Sequence, residues 1–165
     1  MKKLLIIAGL FLSIIFPPDE TSAKQSPDCK VLEQIFKTKV GKTEGVCKVQ
    51  IARKKLDVVH MGKKLSPETL ELVYHFAFEK VDGQTVVMGE MALLEEEVNP
   101  VIDVLRKGGL EVTALHNHHM YERPRIMYLH LQGKGDMIKQ ANTLINTIAV
   151  TKELKQLQQS TGPHH

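Results

Sequence analysis

Apolar residues change their spacing several times along the chain, and each change marks an element. Residues 4–16 are apolar apart from Gly9 and Ser13. Val31, Leu32, Ile35 and Phe36 then recur at helical spacing, with Asp28 placed to cap the first turn. Gly41 and Gly45 flank a turn. Residues 46–51 alternate as a strand does, residues 56–60 form a second short strand, and Ser66-Pro67-Glu68 reads as a turn. Two β-rich runs, 72–81 and 84–93, are joined by Asp82-Gly83, a favoured two-residue hairpin turn. That turn sets Phe76 opposite Gly89, Tyr74 opposite Met91 and His75 opposite Glu90. Tyr74, Phe76, Phe78, Val87 and Met91 then share the greasy face. His75, Ala77, Glu79, Met88 and Glu90 share the other.

Val98, Val101, Ile102 and Leu105 predict a helix stopped by Gly108-Gly109, with Pro100 in its first turn and Asn99 as its cap. Residues 110–118 and 125–133 read as strands connected by 119–124. Gly135-Asp136 opens a last helix whose stripe is Ile138, Ala141, Leu144, Ile145 and Ile148. The order is α-β-β-β-β-α-β-β-α. It predicts an α+β fold, a mostly antiparallel sheet with helices packed on one face, as a single domain over 29–151. Residues 24–28 form a flexible N-terminus, and 152–165 a polar helical extension and tail.

The first apolar run belongs to export. Lys2 and Lys3 precede it, Pro17-Pro18 end it, and Thr21-Ser22-Ala23 places small residues at −3 and −1 of a cut after Ala23. As a helix the run would cover about 20 Å, short of a hydrocarbon core of about 30 Å. Residues 1–23 therefore read as a secretory signal peptide, with no transmembrane segment left after cleavage and a secreted or extracytoplasmic product. In an oxidising compartment Cys29 and Cys47, the two cysteines, can form one disulfide. Two free thiols are the alternative. Neither lies in a Cys-x-x-Cys pair.

Composition narrows the function classes. The 165 residues hold no Trp and only 5% aromatics, which argues against base stacking on a single strand. A net charge of +3 is too mild to imply a polyanion, so no nucleic-acid partner is expected.

Chemistry concentrates in the histidines. His116, His118, His119 and His130 fall in one stretch. Residues two apart in a strand share a face, so His116 and His118 present their rings together. Tyr128, His130 and Gln132 share the polar face of the next strand, while Met127, Leu129 and Leu131 share its apolar one. His119 points the other way. Three imidazoles, His116, His118 and His130, leave an open position on one divalent transition metal, zinc first among the candidates. Glu90 would serve as a further ligand or general base, with His130 beside it in a catalytic role and His75 nearby. Arg125, Tyr128 and His75 are candidate substrate contacts. Arg123 and Arg125 bind an anion or merely solvate the connection. The plainer alternatives are a metal-free acid/base pocket, or histidines making ordinary hydrogen bonds.

Several motifs fall short. His116-Asn117-His118 spells a nuclease motif whose members are in fact dispersed over a longer unit. A metallo-β-lactamase site wants Asp after the His pair, where His119 stands. His116-x-His118-x-x-x-Glu122 matches the core of a cupin motif, but Gly109 is misplaced and the upstream helix suits a jelly roll poorly. Gly133-Lys134-Gly135-Asp136 reads as a strand-to-helix turn. Residues 95–97, all Glu, offset the positive end of their helix, and Arg53-Lys54-Lys55 reads as a solvated turn.

Val87-Met88-Gly89-Glu90, Glu97-Val98-Asn99-Pro100-Val101, the string from Leu110 through His118, and Pro124 through His130 together resemble the LppY/LpqO family of exported bacterial proteins. The resemblance covers residues 29–150 and places His116, His118, Pro124, Arg125 and His130 in the family signature. It implies export but no defined chemistry. Family members often carry two units or a lipid-attachment Cys. This chain has one unit and no such Cys, which leaves room for a homodimer. Two functions follow: a metal-binding protein or metal-dependent enzyme, or a non-catalytic module recognising a small molecule, a cell-envelope component or a protein partner.

Overall fold

The computed structural model describes residues 26–160, with side chains as far as residue 152. The leader assigned to 1–23, the first residues of the N-terminus and the tail beyond 160 lie outside the described residues. The elements are α1 Cys29–Phe36, β1 Val40–Thr43, β2 Val46–Ala52, β3 Val58–His60, β4 Lys63–Leu65, β5 Val73–Val81, β6 Gln84–Leu94, a 3-10 turn Glu95–Glu97, α2 Val98–Lys107, β7 Glu111–His116, β8 Ile126–Gly135 and α3 Met137–Ser160. Six strands form one sheet in the order β1-β2-β5-β6-β8-β7, and every pairing in it is antiparallel. β3 and β4 make a separate hairpin.

Two of these strands, β1 and β4, are absent from the sequence-based order. Both are short and largely exposed, so they carry no apolar alternation. Each belongs to a hairpin with a two-residue turn. Glu44-Gly45 and Met61-Gly62 have both residues at positive φ, as Asp82-Gly83 does. Glu and Met rarely announce such a turn, whereas Asp-Gly does.

Alternation then sorts the sheet. Val49, Phe76, Phe78, Val87, Met91, Leu129 and Leu131 face the three helices and are buried with Leu32, Phe36, Leu105, Leu144 and Ile148. Gly89 is glycine for a steric reason: a Cβ there would stand 2.6 Å from the Phe76 ring and 3.0 Å from the His75 carbonyl oxygen. The opposite face is partly covered too. Leu56, Val58, Leu70 and Leu72 pack a second core onto Ala92, Leu94, Ile126 and Tyr128.

Three local readings change. α2 begins at Val98, directly after the 3-10 turn, so Asn99 lies inside the helix instead of capping it. Ile138 is 49% exposed, and its neighbour Met137 packs on the core. Arg53 and Glu97 are not solvated charges. The Arg53 guanidinium donates to both Glu97 carboxylate oxygens, at 2.6 and 2.7 Å, and to the Ala92 carbonyl. Glu97 also accepts from the Leu94 backbone N–H at 2.8 Å. The two side chains are 8% and 1% exposed.

A Cys29–Cys47 disulfide ties α1 to β2. It points to an oxidising, extracytoplasmic location. Among the described residues no helix is long and apolar enough to cross a membrane.

Two stability predictions follow from these ties. Glu97→Gln or Arg53→Met alone should cost about 3–5 kcal/mol in urea unfolding, because each strands a buried charge or donor. The double Arg53→Met/Glu97→Leu replacement should cost less than either single change. Replacing both cysteines with Ser should cost about 3 kcal/mol, the chain entropy of a loop with sequence separation 18.

Candidate metal centre

A row of residues crosses the face of the sheet that the helices leave free. Gln50, His75, Glu90 and His130 are successive partners on β2, β5, β6 and β8, and Ala114 on β7 completes the row. One step along, His116 pairs with Tyr128.

The place of His116 depends on an irregularity. Val112 pairs with Leu131 and packs on the helix side. Strict alternation would send Ala114 and His116 to that side as well. Instead the register shifts between Val112 and Ala114, leaving Thr113 as an extra residue. Such a bulge reverses the facing of everything beyond it. His116 thereby joins His130 on the free face. β7 ends at His116, so His118 is not a strand residue as the His-x-His reading supposed. It arrives through the following loop and lies flat on the Tyr128 ring, with centroids 3.4 Å apart and planes 4° apart.

The donors converge. His116 Nε2 is 3.0 Å from His130 Nε2. Glu90 Oε2 is 3.0 Å from His130 Nε2 and 3.8 Å from His118 Nε2. One ring nitrogen from each of the three histidines lies within 4.8 Å of the other two. Tetrahedral ligands about 2.05 Å from zinc would stand roughly 3.3 Å from one another, so this spacing fits an ion with little movement. Partial burial holds the His118 pKa below the usual imidazole value, against the opposing pull of Glu90. A neutral ring is the form that ligates metal.

Other candidates are placed differently. His75 is Glu90's cross-strand partner but makes no hydrogen bond with the histidines. Tyr128 is fully buried, and its hydroxyl donates to the Leu70 carbonyl in the second core. It therefore supports His118 from below, and its hydroxyl is not free to contact a substrate. Arg125 lies at the surface, with Nε 3.8 Å from a Glu95 carboxylate oxygen. His119 is not among the converging donors; it lies against His60 at 5.3 Å between centroids and edge-on to His118 at 6.3 Å. Glu122 of the cupin-like spacing is buried and accepts from the Ile126 N–H, away from the cluster. The sequence reading missed Glu71, whose Oε2 is 3.5 Å from His118 Nδ1. Glu71 lies in an aperiodic connection, where no spacing signals it.

Fold and site together define an α+β domain with a three-histidine cluster on a sheet face, supplying the donors a metal ion needs. The chain belongs to the family described as Domain of Unknown Function (DUF1259), whose model matches residues 30–150 and so takes in every residue of the cluster. No curated protein and no solved structure matches it significantly.

Deleting Thr113 tests the bulge. Without Thr113 the strand runs from Val112 straight to Ala114, so β7 should pair on β8 without a bulge and the ring-proton NOE between His116 and His130 should persist. Loss of that NOE would show that the bulge does more than restore the facing of His116.

Proposed function

We propose that this chain is an exported metal-binding protein of the LppY/LpqO kind, holding one divalent transition ion, zinc foremost, on His116, His118 and His130. One observation carries the reading. The Nε2 of His130 lies 3.0 Å from both His116 Nε2 and Glu90 Oε2. A ring nitrogen bears one hydrogen or one lone pair. At least one of these contacts therefore opposes lone pairs or splits a hydrogen, and a cation between the groups relieves both.

Three imidazoles leave a coordination position for a ligand, and a bound ion would supply Lewis acidity there. Glu90 stands within reach of that position as a fourth ligand or as a base taking a proton onto its carboxylate. The second reading is a binding module without turnover. It is favoured by the exposed side chains Met61, Met120 and Tyr121, at 78%, 68% and 82%, on the segments that carry His60 and His119. Such a rim suits a partner better than a buried substrate.

Elemental mass spectrometry should find near one equivalent of a single transition metal in protein lacking His164-His165 and purified without a metal column. His116→Ala/His118→Ala should remove it with the disulfide and fold intact. Glu90→Gln should keep the metal if Glu90 is a base and weaken it if Glu90 is a ligand. Binding should hold at pH 7 and decline as pH falls through the imidazole range, since protons compete for the ligand nitrogens. Absence of metal, with no thermal stabilisation by zinc, copper, manganese or iron, would sink the proposal. Partner binding that survives chelation would favour the module.

A further inference from the structure

A second site lies on the helix side of the sheet. The ends of β2 and β5 and the α3 segment around Ile148 border a cleft of about 320 Å³. Ile51, Leu56, Tyr74 and Ile148 supply its apolar walls, and Lys54 and Lys152 stand exposed at its rim. We infer that this cleft binds a free single-chain amphiphile with a carboxylate head, of the fatty-acid class.

The polar groups within the cleft are already committed. The Thr151 hydroxyl donates to the Ile148 carbonyl at 2.8 Å, so the 2.8 Å contact with Tyr74 has the tyrosine hydroxyl as donor. Arg53 is neutralised by Glu97 and lies 5.3 Å from the Tyr74 ring centroid. A sugar or nucleotide would surrender its water hydrogen bonds there without replacement. An alkyl chain surrenders none. Among the described residues the rim presents the Lys54 and Lys152 ammonium groups and the lining holds no carboxylate, so the head group that suits the rim is an anion. The volume lies in the range of small-molecule sites. The proposal is independent of the metal centre, because Tyr74 and His75 point to opposite faces of β5.

Calorimetric titration of the intact, disulfide-bonded protein with octanoate, nonanoate and decanoate, below their micelle concentrations, tests it. Each added methylene should tighten binding about fourfold until the cleft is full. Decanol and decyltrimethylammonium should bind at least tenfold more weakly than decanoate. Lys54→Glu/Lys152→Glu should weaken decanoate at least tenfold and leave decanol unchanged. Ile51→Trp, whose side chain enters the cleft from the same face as Tyr74, should abolish both. No saturable binding would overturn the proposal, as would equal affinity for decanol and decanoate. Binding to phospholipid vesicles without binding to free decanoate would make the rim a membrane contact and overturn it as well.

Discussion

Thr113 has no partner on β8, and the histidine cluster depends on that gap. A pleated strand sends alternate side chains to opposite faces, and in this sheet the helices claim one face entirely. Leu110 and Val112 must face the helices, because both pack on that core. His116 shares their parity. Only an extra residue between them can turn His116 outward while Val112 stays inward. β7 is an edge strand, paired on β8 alone, so the bulge disturbs one ladder and not two. That makes an edge the least costly place to re-aim a side chain.

The second core does the remaining positioning. The β3–β4 hairpin and the connection to β5 cover the free face only near Ala92, Leu94, Ile126 and Tyr128. Tyr128 thereby loses its hydroxyl to the Leu70 carbonyl and keeps one ring face for His118. A loop imidazole gains a fixed plane from that stacking, which a solvent-exposed loop would not give it. The Arg53–Glu97 pair anchors the same covering layer. Arg53 begins the segment leaving β2, and Glu97 sits where β6 turns into α2. Charge-assisted contacts to Ala92 and Leu94 close the corner.

The central hairpin was fully legible in the sequence. Asp82-Gly83 fixed a register that the structure reproduces at Tyr74–Met91, Phe76–Gly89 and His75–Glu90. The three histidines were legible as a group, but for an incomplete reason. Alternation along 110–118 cannot place Val112 inward and His116 outward together, and the bulge that permits it has no composition of its own. Glu71 was invisible because aperiodic segments carry no facing information. Arg53 and Glu97 looked solvated because each stands in a run of like charges, Arg53-Lys54-Lys55 and three consecutive Glu. Burial of one member of such a run is a tertiary fact.

Glu90 gathers these constraints at one carboxylate. Its strand neighbour Gly89 must lack a side chain to admit Phe76 on the helix side, which fixes β6 closely against β5. The same pleat projects Glu90 to the free face, directly opposite His130. There Oε2 reaches two imidazoles from different segments, one on a strand and one on a loop. A carboxylate shared between two such rings is held by the sheet and not by the loop. Movement of the 117–124 loop would therefore carry His118 while leaving Glu90, His116 and His130 in register. A bound ion would meet two strand histidines and a carboxylate held by the sheet, with His118 set beside them by its stacking on Tyr128, as a preorganised site requires.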